Sequence, residues 1–162
     1  MTAALADTTD WFLAAHPHPG RLADEWAVHP RWTAQLLAGR AWDAVAMPYS
    51  FGCNVLDVCE TLQGYRPAAL ADGPNRRLYL FVEPGRGGIW DDEVWTLPGE
   101  TWLTVPHPQY RPYDCWARWL QPPGPATELM TVAELRRAIS LATPASRRHP
   151  TVLSVSVEGG VL

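Results

Sequence analysis

Lysine is missing from this chain: all 13 basic residues are arginine. Without an ε-amine there is no Schiff-base lysine and no Walker-type lysine for phosphate. Charge of either sign is sparse, at 19% of 162 residues, and the net charge is −4. The chain therefore lacks the basic face of a general, phosphate-driven nucleic-acid binder, although a local arginine patch is compatible with it. No apolar run reaches the roughly 18 residues a membrane span needs, so no membrane association is expected. The start, MTAALADTTDWFLAAHPHPG, has neither the basic opening nor the apolar centre of a signal peptide. Cysteine is scarce too. Cys53, Cys59 and Cys115 show no metal-ligand spacing and leave an odd thiol, as in a reduced, cytoplasmic protein.

What is present points to one globular domain with a substantial core: 47% of the residues are apolar and nine are tryptophan. Rings of that size either fill gaps between short elements or line a cleft, and the core role is the commoner one. The Arg, Ala, Pro, Gly and Trp bias is that of a GC-rich actinobacterial coding sequence.

Periodicity gives a coarse order of elements. A short helix is expected over Thr8–His16, stopped by HPHPG, and a second over His29–Ala38, with Pro30 in its first turn and Gly39 after it. Trp42–Met47 suits a strand closed by Pro48, with Val45 and Met47 on one face. Phe51, Val55, Cys59 and Leu62 then recur at helical spacing, with Ser50 as N-cap and Gly64 as stop. A short buried strand over Val55–Val58 is the alternative. Strands are expected at Arg77–Glu83, Thr101–Val105 and Cys115–Leu120, and a helix from Thr131 to about Leu141, where Thr131 and Glu134 form a capping-box pair. Leu153, Val155 and Val157 alternate in the tail as an edge strand would. The sum is a single-domain α+β fold with a mixed or mostly antiparallel sheet and helices packed on it. Residues 1–25 form an N-terminal extension, 26–142 the core and 143–162 a tail.

These blocks together resemble the N-terminal domain of bifunctional DNA primase-polymerases of the archaeo-eukaryotic primase superfamily, in a shortened, diverged form common in actinobacteria. The resemblance runs over roughly Trp26–Leu141, through WDAVAMP, VLDVCE, RLYLFVEPG, WLTVPHP and WARWLQPP. It implies a primase-polymerase-like fold and a first motif of two acids, one residue apart at a strand end, that hold divalent Mg or Mn. Asp57 matches the first acid, but Cys59 stands at the second and Glu60 is displaced by one. On a strand that displacement turns Glu60 to the other face. The second motif, Ser-x-His, is represented by His107 with Val105 in the serine's place, and Asp114 is the candidate third acid. Two-metal phosphoryl transfer needs converging carboxylates, so primase or polymerase activity is not expected.

The expected role is therefore a binding or regulatory module whose cleft takes a nucleotide, a single-stranded nucleic-acid end or a protein partner. Tyr110, Arg111, Tyr113, Trp116 and Arg118 interleave aromatics with arginines, a pattern that stacks bases and pairs phosphates. An enzyme using Asp57, Glu60, His107 and Asp114, with a divalent metal, is the alternative, and a structural protein-interaction module is a third. Asp91-Asp92-Glu93 suits a solvated turn better than a cation site. Arg76-Arg77 and Arg136-Arg137 suit ordinary surface charge. The five histidines include no i,i+4 pair and make no zinc motif.

Overall fold

The computed structural model describes residues 10–85, 90, 93–110, 116–124 and 129–144. Chain order is α1 (Asp10–Leu13), α2 (Pro19–Val28), β1 (Thr33–Leu37), β2 (Asp43–Pro48), α3 (Tyr49–Gln63), β3 (Ala69–Asp72), β4 (Arg77–Val82), β5 (Trp95–Thr96), β6 (Trp102–Pro106), β7 (Ala117–Gln121) and α4 (Val132–Ala142). A five-stranded sheet in the order β5-β2-β4-β3-β7 forms the centre, and β1 and β6 pair separately. Every named strand pair is antiparallel. The expected α+β class is what the chain adopts.

Because β4 is antiparallel to both β2 and β3, those two strands run parallel with β4 between them. The unit β2-α3-β3-β4 is thus a split β-α-β. Its central strands are covered on both faces, which is why DAVAMP and RLYLFV read as nearly unbroken apolar runs. On one face α3 and α4 pack Val55, Leu56, Cys59, Leu135 and Ile139 against Val45, Met47, Leu78 and Leu80. On the other, Ala44, Ala46 and Phe81 meet Phe12, Trp26 and Trp42, together with Ala34 and Leu36 of β1 and Leu103 and Val105 of β6. Phe12 and Trp42 stack with centroids 6.1 Å apart, and the Trp42 indole N–H donates to the Phe12 carbonyl at 3.2 Å. The described part of the N-terminal stretch is therefore built into the core.

Two local expectations are corrected. His29–Ala38 is not a helix: Ala34 and Leu36 are buried while Thr33 and Gln35 are exposed, the two-residue period of β1 paired to β6. Trp32, Leu36 and Leu37 matched helical spacing, but cross-strand pairing decided the segment. The helix lies earlier, with Pro19 in its first turn and Leu22 and Trp26 buried four residues apart. Ser50 is not the N-cap of α3; Pro48 is, and Ser50 sits in the first turn.

The rest of α3 follows the helical pattern. Val55, Leu56 and Cys59 are buried, and Gly64 ends the helix in the left-handed region at φ 75°. Gly52 is where α3 meets the sheet, since a Cβ there would lie 2.7 Å from the Leu78 Cβ. The α4 capping box forms as expected, with the Glu134 N–H donating to Thr131 Oγ1 and the Thr131 N–H to the Glu134 carboxylate. Cys115 and the 153–157 tail strand lie outside the described residues. No described helix is long and apolar enough to cross a membrane.

Candidate functional site

The end of β2, the start of α3 and the β3–β4 hairpin loop meet around a cavity of about 440 Å³. Pro48 ends the strand and begins the helix, so the 15-residue α3 points its N-terminus into this corner. That end has no side-chain cap and no acidic residue in its first turn. Its orphan N–H groups and dipole leave positive potential there. Tyr49 and Ser50 line the cavity from this side, and the Tyr49 N–H donates to the Arg76 carbonyl at 2.9 Å.

The hairpin loop Gly73-Pro74-Asn75-Arg76 supplies the facing wall. Pro74 occupies a turn position that its ring favours, and the Arg76 N–H closes the loop onto the Gly73 carbonyl at 3.1 Å. Arg76 takes φ 52°, a left-handed backbone that a residue with a Cβ adopts at some cost. Asp72, buried at the loop's base, accepts from the Asn75 N–H at 3.2 Å and from Asn75 Nδ2 at 2.7 Å. Arg118 arrives from β7, opposite Ala71, and its guanidinium reaches the Tyr49 hydroxyl at 3.4 Å. Neither Arg76 nor Arg118 forms an ion pair among the described residues. The corner thus presents two guanidiniums, a serine hydroxyl and a helix N-terminus, against one carboxylate already committed to its own loop. Chemically it suits an anion with several oxygens.

Of the residues the sequence singled out for ligand binding, Arg118 lines this cavity. Trp116 stands beside it: its carbonyl accepts from the N–H of Gly73, a lining residue, at 3.0 Å, and 40% of its surface is exposed. Tyr110 lies elsewhere, its ring against His107 at 4.9 Å. Arg111 and Tyr113 are outside the described residues. Arg76, taken from the sequence as surface charge, is a wall of the cavity instead. Arg77 beside it lies 4.6 Å over the Trp95 ring, and Arg136 lies 5.1 Å over Trp90.

The candidate catalytic residues are not brought together. Asp57 lies on a helix, not at a strand end, and its exposed carboxylate pairs with Arg66 at 2.9 Å; Glu60 joins the same guanidinium at 3.4 Å. Both sit on the outer side of α3. His107 is on the opposite side of the sheet, edge-on to Trp26 at 4.9 Å, with Nδ1 accepting from the Gln109 N–H at 3.0 Å. Its burial lowers the imidazole pKa, which marks a neutral core histidine. Cys59 is also a core group: burial, with Glu134 nearby, pushes its thiol up to about 11. Asp114 and the Asp91-Asp92 pair lie outside the described residues. No group of three or more His, Cys, Asp or Glu side chains among the described residues is arranged to hold a metal.

No protein-family model, curated protein or solved structure matches the chain.

Proposed function

We propose that this domain is a binding module for a phosphate-bearing ligand, a nucleotide or the phosphorylated end of a single strand, seated at the N-terminus of α3. The carrying observation is the convergence of Arg76, Arg118 and an uncapped 15-residue helix on one cavity in an acidic protein. The phosphate oxygens accept from the helix N–H groups, the Ser50 hydroxyl and the two guanidiniums, while half-exposed Trp116 offers a face for a base. Chemistry on the ligand is not part of the proposal, because Asp57, Glu60 and His107 are engaged elsewhere. The role agrees with a primase-polymerase relative that keeps a phosphate cleft without its metal ligands, but it rests on the cavity and does not require that ancestry.

Calorimetric titration with pyrophosphate, ATP and a short oligonucleotide carrying a terminal phosphate tests it. Binding is expected for all three, with a loss of about tenfold in Arg118→Gln. A single-strand complex resting on two arginines also has a shallow salt dependence, a log–log slope of about −1.4. Binding unaffected by Arg118→Gln, or no binding of any of the three, would refute the assignment.

A further inference from the structure

Tyr49 touches both arginines of the phosphate cavity. As the first residue of α3 it donates its backbone N–H to the Arg76 carbonyl at 2.9 Å, and its hydroxyl accepts from the Arg118 guanidinium at 3.4 Å. The ring is half-buried against the core under α3, which holds the phenol in place. A guanidinium has donors only, so the hydroxyl is the acceptor in that contact and keeps its own proton for a third group. Among the described residues no acceptor takes it, and Tyr49 lines the cavity. The contact with Arg118 is long and exposed to solvent, so it does little to position the arginine. Tyr49 is better placed as a donor than as a prop.

The oxygens of the ligand decide what such a donor reads. A phosphodiester offers two non-bridging oxygens and one charge. A phosphomonoester offers three, with a charge of about −1.5 to −2 at pH 7. The planar forks of Arg76 and Arg118 suit two oxygens. The third needs another donor, and the first N–H of α3 is already spent on the Arg76 carbonyl. The one carboxylate in the lining, Asp72, accepts from Asn75 at both oxygens and leaves the cavity dominated by donors.

Resting on the phosphate reading of this cavity, we infer that Tyr49 is its specificity-determining residue. The hydroxyl donates to the third oxygen of a terminal phosphate and so favours a phosphomonoester over a diester.

AMP and 3′,5′-cyclic AMP share base and sugar and differ in that oxygen, so calorimetric titration of the whole chain with each tests it. AMP is expected to bind the native chain more tightly. Charge alone contributes to that preference, and Tyr49→Phe, which keeps the ring and the backbone bond, isolates the hydroxyl's share. The variant is expected to weaken AMP by about tenfold and leave cyclic AMP unchanged, whereas Arg118→Gln weakens both. A native chain that binds the two nucleotides equally, AMP binding unaltered by Tyr49→Phe, or an equal loss for both nucleotides overturns the inference. Pyrophosphate binding that still depends on Arg118 would then leave the phosphate reading standing. If the native chain binds neither pyrophosphate nor AMP, both fall together.

Discussion

Arg76 sets stability against binding, and replacing it separates the two. The residue is exposed, takes φ 52°, and holds the Tyr49 N–H through its own carbonyl. A Cβ in the left-handed region costs about 1–2 kcal/mol, and glycine returns about 0.5–1 kcal/mol of that through its freer unfolded chain. Arg76→Gly should therefore be about 0.5–1 kcal/mol more stable than Arg76→Ala, a rise of roughly 1–4 °C in melting temperature. Arg76→Ala keeps the strain and loses an exposed side chain, so it should stay within about 0.5 kcal/mol of the native protein. Both variants remove the same guanidinium, and each should weaken pyrophosphate by about tenfold, the lower end for a charge-assisted contact because solvent screens it. Urea unfolding and calorimetric titration on the pair give the two numbers independently. If glycine is no more stable than alanine, the loop is not strained at Arg76. If either variant binds pyrophosphate as the native chain does, the guanidinium does not hold the anion.

Gly52→Ala should destabilise despite alanine's better helix propensity. The gain of about 1 kcal/mol is outweighed by a Cβ 2.7 Å from the Leu78 Cβ, which moves α3 off the sheet at a cost of about 1–3 kcal/mol; an unfolding midpoint above native would contradict this. Asp57→Asn with Glu60→Gln should change stability by less than about 1 kcal/mol and leave phosphate affinity and its response to Mn²⁺ unaltered, because both carboxylates are exposed partners of Arg66. His107 gives a pH signature. Burial lowers its folded pKa below the ordinary value of about 6.5, so the unfolded chain binds the extra proton first. Stability from this group is present above that value and is lost as pH falls toward the folded pKa, with a slope of at most about 1.4 kcal/mol per pH unit; urea titrations at several pH values should show His107→Gln flattening it.

How far the sequence revealed the fold depended on how local the deciding physics was. Strand β4 was legible because RLYLFV is buried on both faces, and α4 because Thr131 and Glu134 cap it within four residues. The class followed from that order. Strand β1 was not legible, since TAQLL is a strand only beside WLTVP, some 69 residues away in the Gln35–Thr104 pair. Strand β3 was missed for a similar reason: ALAD has no strong alternation, and its neighbours β4 and β7 bury all four residues. Tryptophans were mostly core, as expected, with Trp26 and Trp42 fully enclosed, while Trp32, Trp102 and Trp116 keep large exposed faces.

The candidate site shows where letter patterns and physical patterns part. VLDVCE resembles an acidic strand motif in its apolar run and first acid, with Cys59 at the second, yet Val55, Leu56 and Cys59 are the buried face of a helix and Asp57 its wet side. The spacing of the apolar residues carried more structural information than the identity of the acids. Arg118 was visible as one member of an aromatic–arginine run, but its partner Arg76 was not, being 42 positions away in a hairpin loop. What joins them is α3: Gly52 lets the helix sit against Leu78, and the Arg76 carbonyl fixes the Tyr49 N–H at the helix start. A close helix–sheet approach and a strained loop residue thereby assemble an anion corner from charges that look ordinary along the chain.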